Sequence, residues 1–166
     1  MKLIFSTLLL SILLVTVSCN DQKKEVNCEI EKEAIENLLE NYILANENQD
    51  FDLIEDIWAS DDDIILYGTD SDERLMGWSG IEEAIKEQFG LITDTYISAS
   101  NQFIKLNCTG NTAWFAETLN YNYMYKDKAH KYEGMRFTGV VEKIEGKWVL
   151  VQAHLSLPAS VGIGDK

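Results

Sequence analysis

The chain has 166 residues, 46% hydrophobic and 25% charged, and its 28 acidic and 14 basic residues give a formal net charge of −14. So acidic a surface repels phosphate backbones and anionic lipid headgroups, and we expect neither nucleic-acid binding nor electrostatic attachment to a membrane. The length and the supply of aliphatic and aromatic residues suit one domain with a single core.

The first 18 residues are typical of a secretory signal peptide, because Lys2 precedes an apolar run that lacks acidic residues and is too short for a stop-transfer helix. The run ends in Thr-Val-Ser-Cys at Cys19, which resembles the cleavage box of bacterial lipoproteins with threonine in place of the usual leucine. This predicts a cell-envelope protein that reaches the membrane only through a lipid on Cys19. A periplasmic or secreted protein is the alternative. Without Lys2, 13 basic and 28 acidic residues leave a charge of −15.

The predicted domain organisation is a signal peptide at 1–18, a polar tether at 19–29, one folded domain at 30–160 and a short tail at 161–166. Cys28 and Cys108 are the remaining cysteines. Outside the cytoplasm they can pair, but two cysteines so far apart define no disulfide framework, and their pairing is left open.

Apolar residues recur at helical spacing in the first half of the domain, which predicts three helices. Ser79 and Glu82 have the spacing of a capping box at the start of the third. The predicted helices are residues 29–47, 50–58 and 79–92, and two short extended segments, 64–67 and 73–78, precede the third.

After residue 95 the hydrophobic period changes from helical to two, which indicates strands. The predicted strands are residues 96–108, 112–125, 132–144 and 147–157, joined by the turn-like sequences TGN, KDKAHK and EG. Short connections imply antiparallel neighbours. The sequence therefore predicts an α+β fold in which three N-terminal helices pack on one face of a curved, mainly antiparallel sheet.

Two segments carry a resemblance to a known family. GMRFTGVVEKIEGKWVLVQAHLSLP, at 134–158, resembles the closing strands of the nuclear transport factor 2 superfamily, whose members include SnoaL-like and ketosteroid-isomerase-like proteins. LMGWSGIEEAIKEQF, at 75–89, resembles the helix entry of the same group. The resemblance implies a cystatin-like roll, or cone, with a pocket open at one end between the concave sheet face and the first helix. Because this fold hosts enzymes of several classes and also assembly domains, it does not determine function.

Within that implied cone, the last strand carries polar residues on one face. Strict alternation places Trp148, Leu150, Gln152, His154 and Ser156 on a mixed face, with Val149, Val151, Ala153, Leu155 and Leu157 on an aliphatic one. We expect the mixed face to line the pocket and the aliphatic face to meet a second subunit. Alternatively, His154 and Ser156 bond to backbone near the strand end or lie at an interface.

Glu117 stands among apolar residues on a predicted strand and would be costly to bury alone. Arg136, on the next strand, is its natural partner. Aromatic residues on the helices and the first short strand are expected at the mouth of the pocket. Alternatively, these rings fill the core. The predicted pocket residues are Tyr42, Trp58, Tyr67, Trp78, Glu117, Arg136, Trp148, His154 and Ser156.

No cofactor and no metal ion are predicted, because the only histidines, His130 and His154, lack further ligands at suitable spacing. In ketosteroid isomerases a base aspartate follows the first short strand, whereas this chain has no carboxylate there until Asp70. An isomerase of that type is therefore disfavoured, although Asp70 or Asp72 could serve as the base if the loop folds inward, and no catalytic residue is assigned.

The sequence thus favours a homodimeric protein that binds a small, largely apolar molecule, without catalysis or with weak catalysis. The first alternative is a lyase, isomerase or cyclase acting on a hydrophobic carbonyl compound, with Arg136 and His154 as polar anchors. The second alternative is a pure dimerisation domain.

Overall fold

The computed structural model describes residues 26–159. The predicted signal peptide, Cys19, most of the tether and the tail lie outside the described residues. Among residues 26–159, no helix is both long enough and apolar enough to cross a membrane.

Three helices form, and two of them have a polar side chain as the N-cap. They are α1 (Cys28–Asn48), α2 (Phe51–Ile57) and α3 (Gly77–Leu91). The side chain of Asn27 accepts from the backbone N–H of Ile30, and that of Asp50 accepts from Leu53. The predicted capping box at Ser79 is wrong, because α3 starts two residues earlier, after an N-cap at Met76 that makes no side-chain bond.

Six strands form one sheet. They are β1 (Ile65–Tyr67), β2 (Arg74–Met76), β3 (Ile92–Leu106), β4 (Thr112–Tyr125), β5 (Lys128–Ile144) and β6 (Lys147–Ser156). Their order across the sheet is β2-β1-β6-β5-β4-β3, and all neighbours are antiparallel except β1 and β6. The α+β class with a mainly antiparallel sheet is therefore confirmed, and β3 is an edge strand.

The hairpin between β4 and β5 is tighter than the sequence suggested. Lys126 and Asp127 alone make the turn, both with positive φ (49° and 59°), as in a two-residue hairpin of the primed type. His130, expected in the turn, therefore lies in β5 opposite Tyr123.

One face of the sheet packs on the helices and forms the core. On β4 the inward residues alternate, and Ala113, Phe115 and Leu119 are buried. The helical stripe of α1 meets them, and its Ile35 and Leu39 are fully buried. The site described below lies on this inward face.

A bulge in β6 changes which of its side chains face inward. Val140 of β5 pairs with Gln152 and Val141 with Leu150, so Val151 is an extra residue that reverses the alternation. Trp148 and Leu150 are consequently buried in the core, whereas the side chains beyond the bulge that were predicted to join them point outward. The predicted single mixed face of β6 is therefore wrong. The outward residues are Gln152, His154 and Ser156, and the inward ones are Ala153 and Leu155.

Candidate functional site

Glu117 is the one buried carboxylate among the described residues, with 4% of its surface exposed on the inward face of β4. Gln102 Nε2 donates a hydrogen bond of 2.8 Å to Glu117 Oε2, while Oε1 has no hydrogen-bond partner within residues 26–159. A buried oxygen without a partner is costly in a folded protein, and such groups are concentrated at functional sites.

The position of Gln102 follows from a bulge in β3. Ser100 pairs with Thr118 and Phe103 with Ala116, so two residues of β3 stand opposite the single residue Glu117. We call this pair, Asn101 and Gln102, the Gln102 bulge. Asn101 takes a left-handed conformation, with φ of 55°, as asparagine does more readily than most residues. This turn of the backbone brings an exposed glutamine within reach of a buried acid.

The surroundings of Glu117 are apolar and aromatic. Its cross-strand neighbour is Phe137, which is fully buried and stacks on Tyr42 of α1 with ring centroids 4.6 Å apart. Burial raises the pKa of Glu117, and the Gln102 hydrogen bond opposes this only in part. Burial, and then the negative charges that Tyr121 and Glu117 can carry, raise the pKa of Tyr42. Both groups therefore favour their neutral, protonated forms.

A second polar group links α1, α3 and β4 on the same inward face. Gln88 Nε2 donates to Tyr121 Oη at 3.3 Å and to Asn46 Oδ1 at 3.4 Å. Asn46 Nδ2 in turn donates to the backbone oxygen of Tyr42 at 2.8 Å. Burial raises the pKa of Tyr121 to about 12. This network fixes the end of α1 that carries Tyr42 against the strand that carries Glu117.

Aromatic rings continue along β4 and β5 towards their hairpin. Tyr123 stacks on His130 with centroids 5.3 Å apart, and its hydroxyl donates to Tyr132 Oη at 3.3 Å. Burial, then Tyr132, raise the pKa of Tyr123, and the charge of Asp70 adds to this rise.

Of the predicted pocket residues, the structure brings Tyr42 and Glu117 together on the inward face, where both lie beside Phe137. Trp58 and Trp148 are buried in the core, where Trp148 Nε1 donates to Glu31 Oε2 at 2.8 Å. Trp78 is half-buried and packs against Phe51. These tryptophans fill the interior around α2 and the start of β6.

The remaining predicted residues lie on the outer face of the sheet. Arg136 pairs in register with Thr118, one residue from Glu117, and therefore points away from it and is exposed. The expected Glu117–Arg136 ion pair is wrong, since adjacent register positions on a strand face opposite sides. His154 lies on that outer face too, 6.0 Å from the ring of Tyr67, and Ser156 stands beside Arg136.

Two surface hollows of about 490 and 500 Å³ lie away from Glu117. One is lined by residues that include Asp61, Glu142 and Gln152, and the other by 26–29 at the start of α1. Within 26–159 no cluster of histidine, cysteine and acidic side chains is arranged to hold a metal ion, and Cys28 and Cys108 are exposed free thiols. Glu117 and its neighbours on the inward face are therefore the candidate functional site.

Sequence reasoning missed Gln102, Asn46, Gln88 and Tyr121. Asn46 follows Tyr42 by four residues and so falls on the apolar stripe of α1, which was a readable signal. Tyr121 follows Glu117 by four residues on β4, and the two-residue alternation of a strand places both on the inward face. Gln102 had no such signal, because its role depends on the bulge.

Three helices and a mainly antiparallel six-stranded sheet, with a polar centre on the helix-facing side, define the class of the nuclear transport factor 2-like proteins. Residues 35–160 match the SnoaL-like domain family, and the chain belongs to it. The resemblance seen in the sequence is therefore confirmed. No functionally curated protein is significantly similar to the chain in sequence.

Solved structures share the fold at low sequence identity. A nuclear transport factor 2-like superfamily protein from Salmonella enterica serovar Typhimurium is 19% identical, with a TM-score of 0.73 over 83% of this chain and 98% of that one. A protein from Novosphingobium aromaticivorans, provisionally named a scytalone dehydratase, is 14% identical, with a TM-score of 0.70 over 83% and 91%. A provisionally named dehydratase from Streptomyces avermitilis is also 14% identical, with a TM-score of 0.70 over 80% and 99%. At these identities the likeness shows the fold alone.

Proposed function

We propose that this SnoaL-like protein binds a small, largely apolar molecule between its helices and the inward face of its sheet, without catalysis or with weak catalysis. The observation that carries this proposal is the buried Glu117, whose Oε1 lacks a hydrogen-bond partner among the described residues. Folding leaves that oxygen unsatisfied at a cost, and a ligand group that bonds to it would remove the cost.

The chemistry around Glu117 indicates what kind of ligand fits. None of the ion pairs within 26–159 involves Glu117, so an un-ionised acid is the form compatible with its burial. Phe137, Tyr42 and Leu119 around it offer apolar and aromatic surface. An uncharged molecule with one or two polar atoms on an apolar frame matches these neighbours, as in most small-molecule sites.

Photolabelling tests the proposal directly. The apolar reagent 3-trifluoromethyl-3-phenyldiazirine forms a carbene on illumination and inserts into the groups that it contacts. We expect adducts on the peptide that contains Glu117, suppressed by excess 2-ethylnaphthalene, when the labelled chain is digested and sequenced by mass spectrometry. Adducts confined to outward-facing residues such as Trp114, or unaffected by the competitor, would overturn the proposal.

A second candidate is an enzyme acting on a hydrophobic carbonyl compound, such as a lyase, isomerase or cyclase. The specific observation in its favour is a carboxyl group of raised pKa beside a buried tyrosine, Tyr42, since general acids are tuned in this way. The provisional dehydratase names of two fold relatives point in the same direction. For an enzyme, Glu117→Gln should lower the turnover rate by about 10²-fold or more while ligand binding persists. In a binding protein no turnover exists to lose.

We also propose a homodimer formed through the outer sheet face. The chain carries 28 acidic residues, yet three rows of paired positions on this face contain none: Lys105-Trp114-Val140-Gln152, Phe103-Ala116-Thr138-His154 and Ser100-Thr118-Arg136-Ser156. Phe103 and Trp114 stand on it at 56% and 47% exposure. Two copies of the chain would repel each other if they met through their acidic helix sides. Contact through this face avoids that repulsion, so the face suits a second copy of the chain. The pure dimerisation domain would share this face and lack the ligand.

Export and lipid anchoring at Cys19 complete the proposal, on the sequence of the first 19 residues. The acidic domain would then be held at a membrane of the cell envelope by its lipid alone, with residues 20–27 as the connection. A periplasmic or secreted form follows if the peptide is removed without lipidation.

A further inference from the structure

Access to Glu117 has two conceivable directions. One runs along the inward face of β4 and β5 past the ring cluster of Tyr123, His130 and Tyr132. The other crosses the open edge of the sheet, where β3 has no further strand beside it. The contacts of Glu117 distinguish these directions.

On the edge side, Gln102 is the side chain that hydrogen-bonds to Glu117. Gln102 is an exposed residue, and its amide nevertheless lies 2.8 Å from the buried Glu117 Oε2. The bulge interrupts the regular pairing of β3 and β4 between Ser100 and Phe103, so the ladder is locally disrupted beside Glu117. Asn101 and Gln102 are both exposed, so the bulge itself is open to solvent.

On the hairpin side, the path is closed by a network. Tyr121 is 8% exposed and is held by Gln88, which also bonds to Asn46. Opening this direction would break hydrogen bonds between three elements and would move buried rings. Opening the edge requires one rotation of an exposed side chain and the loss of one hydrogen bond. This costs less free energy than opening the hairpin side.

We propose that the Gln102 bulge is the route by which a ligand's polar group reaches Glu117, and that Gln102 is the side chain that opens and closes it. The inference rests on the proposed function, since it assumes that Glu117 is the group a ligand seeks. It adds that entry is lateral, through the edge of the sheet. Gln102 is on this view a positioning residue that alternates between bonding Glu117 and yielding to the ligand.

The test uses the full chain and dicyclohexylcarbodiimide, an apolar reagent that adds to un-ionised carboxyl groups. The carboxyl proton passes to a carbodiimide nitrogen while a carboxyl oxygen bonds to the central carbon, and the adduct rearranges to a stable acylurea that mass spectrometry locates. Two variants distinguish the effect of side-chain bulk from that of the hydrogen bond. Gln102→Met keeps the bulk of the side chain and removes its hydrogen bond, whereas Gln102→Ala removes both.

We expect Gln102→Ala to speed the labelling of Glu117 by roughly tenfold and Gln102→Met by no more than about threefold, because the alanine alone vacates the route. Gln88→Ala, on the hairpin side, should leave the rate within about twofold. Equal acceleration by alanine and methionine would mean that the lost hydrogen bond acts through the acidity of Glu117, and would overturn the inference. Acceleration by Gln88→Ala alone would assign entry to the hairpin side, and would also overturn it.

These outcomes are distinct from failure of the proposed function. If Glu117 is labelled through another route, ligand binding at Glu117 stands and only lateral entry falls. If Glu117 resists the carbodiimide in wild type and in every variant, and carries no diazirine adduct, both proposals fall together. Circular dichroism spectra of the variants matching that of wild type would show that the changes in rate do not reflect unfolding.

Discussion

The side-chain amide of Gln102 donates to the Oε2 atom of Glu117 at 2.8 Å, and it is the only hydrogen bond that the described residues give this buried carboxyl group. An acid held in this way favours its proton. The balance between burial, which raises its pKa, and Gln102, which lowers it, decides how the folded protein responds to pH.

The stability of the protein should fall as pH rises through the titration of Glu117. Its pKa in the folded chain lies above the usual 4.5. Between those two values the unfolded chain has released the proton and the folded chain still binds it, so the free energy of unfolding decreases with pH. Above the pKa of the folded chain, the free energy of unfolding stays below its value at low pH. Urea titrations at several pH values should show this loss in wild type and not in Glu117→Gln.

The matched variants sharpen this prediction. Gln102→Met removes the bond that lowers the pKa of Glu117, so the loss of stability should extend to higher pH than in wild type. Thr118→Val, on the same strand but the opposite face, should keep the wild-type profile. If Glu117→Gln follows wild type at every pH, Glu117 does not have a raised pKa in the folded chain.

Two glycines should respond oppositely to alanine. A Cβ at Gly139 would overlap the backbone oxygen of Gln152 and the ring of Phe115, so Gly139→Ala should lower the free energy of unfolding by about 1–3 kcal/mol. Gly80 lies inside α3 with open space around its Cα, and Gly80→Ala should raise stability by about 0.5–1 kcal/mol. Denaturant titration measures both, and equal effects would contradict the packing described at Gly139.

The elements of this fold were predictable because each segment's hydrophobic period agrees with its structure. An acid among alternating apolar residues marked Glu117, and it lies on the inward face. The bulges at Gln102 and Val151 were not predictable, since one extra residue in a strand leaves no mark in composition. Each bulge reassigns faces, and for that reason His154 was expected beside Trp148 and lies outside, while Gln102 was overlooked.

Glu31 ties the start of α1 to the sheet and should matter for stability. Its carboxylate accepts from Lys143 Nζ at 2.6 Å and from the indole N–H of Trp148 at 2.8 Å, and its side chain is 17% exposed. Glu31→Ala leaves the buried indole donor without this partner, so the free energy of unfolding should fall by about 1–3 kcal/mol. Its neighbour provides the control. Lys32 pairs with Glu36 at 3.5 Å with both side chains nearly half exposed, and Lys32→Ala should cost less than about 0.5 kcal/mol.

Lipidation at Cys19 should be visible by metabolic labelling. Cells that express the chain and receive radioactive palmitate should yield a labelled protein in the membrane fraction, because the diacylated cysteine would anchor the chain there. Cys19→Ala should carry no label and appear in the soluble fraction or the medium. Cys28→Ala, which changes an exposed cysteine of α1, should remain labelled. An unlabelled, soluble wild-type protein would establish the secreted alternative.

The outer sheet face should hold two copies of the chain together. Phe103 pairs with Ala116, and Trp114 stands two residues away on β4, so a glutamate in place of either ring would remove apolar contact area and bury a carboxylate at the interface. Phe103→Glu and Trp114→Glu should each raise the dimer dissociation constant at least about 30-fold, which corresponds to about 2 kcal/mol. Leu44→Glu, at a residue that is 40% exposed but lies on α1, should leave the dimer intact. Sedimentation velocity over a range of concentrations measures the equilibrium. A wild-type protein that remains monomeric at the highest concentration would overturn the proposed homodimer.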